Sequence, residues 1–319
     1  MRSRPPWAYA VLAALVVALA VGAAWLTRPS TEGLEGVWEA AAVDGEVLGG
    51  RALVATDDNV AVDLVSGTRI TLGSVRGGTR AIGAGRLLVL RDDGPRPTLD
   101  GAGLDGGSRW TWQGPPAHRV TFVAAASATT VVQACGGTPV ACRLIGVGTN
   151  GRESWQVQQP TASGTEAPAI GADGNLPTVG ALPTKDGTVV LVDPTSSRIL
   201  LRPPAVASVG RDGALTLSAP SGGDCRRTTF TTLDRSSTTT SPGSCDASPP
   251  ASATDTTVRG GGRAHAWWWP FGDGHATLEV GGRHTGRVVG DDPLRALRVD
   301  DDGITVREGE VVRRYAWQR

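Results

Sequence analysis

Residues 60–73, VAVDLVSGTRITLG, read as a strand, a glycine turn and a second strand. The same unit returns in degraded form as VVLVDPTSSRILLR at 189–202 and again as ITVREGEVVRRYAW at 304–317. A hairpin that recurs along a chain is the strongest constraint on its fold. One small antiparallel sheet cannot bury both of its faces, so each copy needs neighbours of its own kind. The period is about 40 residues. Units fall at 51–74, 85–115, 119–157, a fourth ending at 187–204, a fifth containing 206–223, then 263–290 and 294–319. The expected fold is all-β: a β-propeller of about seven four-stranded blades. Two β-sandwiches would use similar strands without the common turn. The stray strand LEGVWEA at 34–40 is expected to pair beside RRYAW at 313–317, which would tie both ends of the ring together.

Composition agrees. The 44 glycines suit a chain of short strands and many turns, and helical periodicity is scarce beyond the first 30 residues. Lys plus Arg and Asp plus Glu both number 31, so the clustered cationic excess that phosphate binding requires is absent. Nucleic acid is excluded as the main partner.

The N-terminus differs in kind. Trp7–Leu26 is a run of 20 residues without a charge. As a helix it would span roughly 30 Å, the thickness of a bilayer core. Trp7, Tyr9 and Trp25 stand near its ends, where aromatic rings favour the interface. Arg2 and Arg4 precede it and mark a cytoplasmic N-terminus. The reading is a cytoplasmic segment 1–6, a single transmembrane helix 7–26 acting as signal anchor, a linker 27–33 and an extracytoplasmic domain 34–319. A cleaved signal peptide with ALA at 18–20 is the alternative. Either way the repeats are exported.

Four cysteines, Cys135, Cys142, Cys225 and Cys245, all lie in the exported part. Cys135 and Cys142 flank a GGTP turn between two apolar segments, where a cross-strand disulfide fits. Cys225 and Cys245 would then close the Ser/Thr-rich stretch between them, although three pairings are open to four cysteines. Ser, Thr and Pro dominate 228–257, which reads as an inserted loop and as a candidate for O-glycosylation.

The repeat resembles that of quinoprotein-type (PQQ-like) β-propellers. In those, an alternating strand ends in Asp, and a Thr-Gly or Ser-Gly turn leads to a strand finishing at Trp. Asp63, Ser66 and Gly67 match this turn; Asp193, Ser196 and Ser197 match it with the glycine lost. Gly107 with Trp112, Gly151 with Trp155, and Gly309 with Trp317 keep the glycine and the tryptophan. The resemblance implies that these tryptophans dock on the adjacent blade. The family's dehydrogenases carry a vicinal cysteine pair and a calcium held by Glu, Asn and Asp; this sequence has no adjacent cysteines, and no acidic trio stands out. No cofactor, metal site or catalytic residue is therefore expected. The run Asp300–Asp302 before Gly303 reads as a hairpin turn. His118, His265, His275 and His284 read as blade residues rather than ligands.

One motif stands outside the repeat: AHAWWWPFGDG at 264–274, with Trp267, Trp268, Trp269 and Phe271. Successive strand residues face opposite sides, so one face can pack between blades while the other offers aromatic surface to a protein or a glycan. The resemblance also covers non-catalytic envelope scaffolds, among them an outer-membrane assembly lipoprotein. The expected role is a membrane-tethered, non-catalytic scaffold for an envelope protein partner. A small-ligand or glycan sensor, or an enzyme using the central funnel, is the alternative.

Overall fold

Short runs in which every second residue is apolar build strands with one face for each neighbouring sheet, and the described residues form almost nothing else. The computed structural model describes residues 31–56, 60–72, 78–159, 168–171, 173–210, 212–245, 257–264 and 275–318. The expected transmembrane segment 7–26 lies outside them, and no described helix is long and apolar enough to cross a membrane.

The strands form seven consecutive antiparallel sheets, the blades of a β-propeller. The first holds β2 (Gly45–Leu48), β3 (Ala52–Ala55), β4 (Val60–Asp63) and β5 (Arg69–Thr71). The second holds β6 (Thr79–Gly83), β7 (Arg86–Arg91), β8 (Thr98–Gly103) and β9 (Arg109–Gln113). The third holds β10 (His118–Ala125), β11 (Thr129–Gly136), β12 (Ala141–Gly148) and β13 (Glu153–Gln158). The fourth has three strands, β14 (Gly180–Pro183), β15 (Val189–Val192) and β16 (Ile199–Arg202), and Ala169 donates to the Ala181 carbonyl at its inner edge. The fifth holds β17 (Val206–Val209), β18 (Leu215–Ser221), β19 (Asp224–Thr232) and β20 (Arg235–Pro242). The sixth holds β21 (Thr257–Ala264), β22 (His275–Gly281) and β23 (Gly286–Gly290). The seventh holds β24 (Leu294–Asp300), β25 (Gly303–Glu308) and β26 (Val311–Trp317), completed by the N-terminal β1 (Leu34–Ala41).

The closing pair is as the sequence suggested. Leu34 stands opposite Trp317 and Ala41 opposite Val311. Both ends of the ring are thus woven into one sheet, so opening it means stripping a strand from its ladder. The expected linker 27–33 is partly built into the sheets, because Glu32 exchanges backbone hydrogen bonds with Arg287 beside β23. The reading of 228–257 as an inserted loop is corrected up to residue 242. Residues 228–232 and 235–242 are the paired strands β19 and β20, for which β-branched threonine is well suited. Residues 246–256 lie outside the described part.

Apolar clusters join six successive pairs of sheets. Leu88, Trp110, Phe122 and Ile145 join the second to the third; Val123, Leu144, Leu182 and Val190 join the third to the fourth. Leu191, Leu215, Leu217 and Phe230 join the fourth to the fifth. Leu278, Val288, Ile304 and Val306 join the sixth to the seventh, and further clusters join the seventh to the first and the first to the second. Between the fifth and sixth there is no such cluster among the described residues. The fifth sheet's side away from the fourth carries a row of hydroxyls, Ser208, Thr216, Thr229 and Ser237, one on each strand. Thr216 Oγ1 and Thr229 Oγ1 lie 3.0 Å apart. Among the described residues, the junction of the fifth and sixth sheets is therefore a polar seam.

Candidate functional site

The inner strands of the sheets begin at one end of the ring and finish at the other, and the two ends differ in their residues. At the end where β2, β6 and β10 finish, residues 171 and 173–178 lie across the ring. The Gly49 amide donates to the Asp173 carbonyl, Ile82 donates to Gly174, and Leu176 donates back to Ile82. Ala125 donates to Pro177, and Thr178 donates to Gly213. One segment of the fourth unit thereby touches the first, second, third and fifth sheets. Gly49 has a φ of +60°, and a Cβ there would sit 2.5 Å from Asn175 Oδ1. Only glycine permits that approach. The sequence does carry a signal for the turn: Gly-x-Asp-Gly occurs at 171–174 and again at 210–213. In both copies the first glycine donates to the carbonyl four residues on.

Leu34, the first residue of β1, stands at this same end. Trp317 lies opposite Leu34 and donates from Nε1 to the Asp300 carbonyl, while Arg298 Nη1 donates to the Gly50 carbonyl. Arg307 and Asp44, 2.7 Å apart, mark the other end of the same sheets.

At that other end the second and third sheets part to leave a cleft of about 320 Å³ lined by Thr79, Leu90, Asp92, Asp93, Arg119, Val120 and Thr121. Thr79 begins β6, Arg119–Thr121 lie at the start of β10, and Asp92 and Asp93 follow directly on β7. Its wall has a buried polar support. Thr121 Oγ1 donates to Gln133 Oε1, and Gln133 Nε2 donates to Gln159 Oε1 at 2.8 Å. Behind the acidic pair, Arg91 is matched by Asp100, which also accepts from Thr111 Oγ1 at 2.6 Å. The cleft offers carboxylates, a guanidinium and hydroxyls to a polar partner. The expectations from sequence did not include it, because its residues come from two units and carry no motif.

One electrostatic cluster is structural. Asp300 accepts from Arg314 Nη2 at 2.7 Å and Arg298 Nε at 2.6 Å, and also caps its own hairpin through the amides of Asp302 and Gly303. Burial pushes the Asp300 carboxyl up, but hydrogen bonds and attraction from the two arginines outweigh it and hold the group below the usual carboxylate range. The Asp300–Asp302 turn is the hairpin expected from sequence; what was missed is that its first carboxylate anchors the closing sheet. Burial raises the nearby Tyr315 phenol. Hydrogen bonding to Glu39 raises Arg313, which reaches across from β26 to β1.

The sequence-predicted residues fall as follows. Cys135 and Cys142 are bonded to each other across the β11–β12 register, and Cys225 is bonded to Cys245. Asp63 accepts from the Ser66 amide and hydroxyl, and Asp193 accepts from Thr195 and Ser196 in the matching turn. Trp155 Nε1 donates to the Pro194 carbonyl of the next sheet, and Trp112 Nε1 donates to Glu153. Trp317 instead stacks on His284 of the preceding sheet, with ring centroids 5.0 Å apart. In the seventh sheet Trp38 takes the outer role, donating to the Val65 carbonyl. His118 Nδ1 meets the Pro116 carbonyl and His275 meets Asp291, so the described histidines do not converge. Trp267, Trp268, Trp269, Phe271 and His265 lie outside the described residues. Among the described residues no three His, Cys, Asp or Glu side chains are placed to hold a metal.

No protein-family model matches the chain, and no curated protein matches it. Solved structures resemble it at low identity. TolB from Acinetobacter baumannii is 14% identical, with 74% of this chain and 61% of TolB covered and a TM-score of 0.33. The WD40 domain of SCAP from fission yeast is 11% identical, covering 83% and 81%, with a TM-score of 0.29. The periplasmic gluconolactonase PpgL of Pseudomonas aeruginosa is 13% identical, covering 86% and 78%, also at 0.29. The chain spans about three-fifths of TolB. Its own seven sheets make the chain a β-propeller.

Proposed function

We propose that this chain is a membrane-anchored, extracytoplasmic β-propeller of the PQQ-like kind that works as a non-catalytic protein-interaction scaffold in the cell envelope. The observation that carries the reading is the placement of β1. The strand that follows the apolar segment 7–26 enters the ring at the end crossed by residues 173–178, and the cleft of Asp92, Asp93 and Arg119 opens at the opposite end. A tether at the first end would hold the disc with that cleft facing away from the membrane. Two disulfides support an oxidising compartment. The repeated Asp-anchored turns with docking Trp112 and Trp155 support the family resemblance. A small-ligand sensor is the second reading, and the polar cleft is the feature in its favour.

The test is affinity capture of the full chain from its own membranes, with and without mild crosslinking. The scaffold reading requires a stoichiometric partner that is lost in Asp92→Arg/Arg119→Glu, while the melting temperature stays within a few degrees of wild type. Recovery of the chain alone, together with a thermal shift on adding small polar ligands, would replace it with the sensor.

A further inference from the structure

The outer strand of a propeller blade ends in a row of backbone N–H and C=O groups with no partner, a template for another strand unless something blunts it. Most outer edges here are blunted. β5 and β16 have three and four residues. β9 has five residues, and β13 carries Glu153 and an irregular register against β12. β1 carries Glu35 and Glu39 and a register break between Gly36 and Trp38. The outer flank of β23 is covered by Glu32.

β20 is different. It has eight residues, its pairing with β19 runs unbroken from Ser236 to Pro242, and it forms the outer edge of its sheet among the described residues. Its one charge is Arg235 at the start and its one proline is Pro242 at the end. Seven of its eight residues are exposed. Residues 237–241 read Ser-Thr-Thr-Thr-Ser, the same in both directions.

We propose that β20 is a homotypic docking edge, pairing antiparallel with β20 of a second copy about a two-fold axis through Thr239. In that register Thr239 meets Thr239, Thr238 meets Thr240, and Ser237 meets Ser241. Thr–Thr neighbours are favourable cross-strand pairs, and two four-stranded sheets become one of eight. The two Arg235 side chains lie at opposite ends, about 27 Å apart at strand rise, so no like charges oppose. The palindrome and the absence of charge select a second copy over a foreign strand, which would have no side-chain feature to read.

The test uses the full chain in detergent micelles, with protein mass from sedimentation. The expected result is a dimer at about micromolar concentration. Thr239→Lys and Thr239→Glu should each weaken it at least about tenfold by placing like charges opposite each other, and mixing the two variants should restore it. Because Thr239 is exposed, both variants should melt as wild type does. A monomer at all concentrations, a dimer indifferent to either charge, or a mixture no tighter than its components would overturn the proposal.

Discussion

Arg314 Nη2 donates to Asp300 Oδ1 at 2.7 Å across the sheet that closes the ring, and its Nη1 donates to Thr305 Oγ1 at 3.1 Å. Thr305 passes the chain on, donating to the Leu64 carbonyl of the first sheet at 2.6 Å. Arg314 is only 4% exposed, so its charge depends on Asp300.

Replacing Asp300 by Asn should therefore cost about 3 kcal/mol, because it strands a buried guanidinium. The sign with pH follows from the lowered carboxyl. A group whose folded pKa lies below its unfolded value contributes stability above the unfolded pKa and loses it as pH falls through the folded one. Thermal melts of wild type should drop as pH is lowered through and below the ordinary carboxylate range. Asp300→Asn should show a shallower drop, and parallel curves for the two proteins would refute the linkage.

The turn Asp193–Arg198 repeats the turn Asp63–Thr68, with Ser197 at φ +59° where Gly67 has φ +74°. Ser197 pays for a left-handed backbone that glycine adopts freely. Ser197→Gly should raise stability by about 0.5–1 kcal/mol, read as a higher denaturation midpoint. The reverse test is Gly67→Ala, whose Cβ would stand 2.7 Å from the Trp38 ring; it should destabilise by about 2 kcal/mol.

Trp155 lies opposite Gly146 on the neighbouring strand, and a Cβ on that glycine would come within 2.3 Å of the indole. Gly101 and Trp110 repeat the arrangement. Gly146→Ala should lift Trp155 off its sheet and weaken its bond to Pro194, costing about 2–3 kcal/mol and shifting the tryptophan fluorescence. An unchanged emission spectrum would show that the ring does not need this seat.

The seam between the fifth and sixth sheets joins a hydroxyl row to a sheet whose apolar side faces the seventh. Hydrophobic burial is the main force holding blades together, so the ring should open there first. Hydrogen exchange should be faster in β17–β23 than in the buried β3, β7 and β11. Removing the Cys225–Cys245 bond, which closes a sequence separation of 20, should cost about 3 kcal/mol and accelerate exchange in β19 and β20 first. Uniform protection around the ring would show that the seam is sealed by other means.

The repeat was legible in sequence because it is local. Alternation places apolar residues on strand faces, Asp-anchored turns join them, and each unit from residue 51 onward maps onto one sheet. The pairing of 34–40 with the C-terminal strand was legible too, since a lone strand before the first repeat has few places to go. The Ser/Thr stretch misled because threonine serves loops and strands alike; its partner β18, with Leu215 and Leu217, decided in favour of strand. Sequence alone determined the all-β repeat, the closure and the cysteine-bearing hairpin. Tertiary structure decided the rest: the crossing of 173–178, the Asp92–Arg119 cleft, the Arg314–Asp300 anchor and the polar seam. The crossing, the cleft and the seam join residues from different units, and the Arg314–Asp300 anchor joins strands that are not neighbours in its sheet; such contacts arise only when the fold brings distant residues within bonding distance.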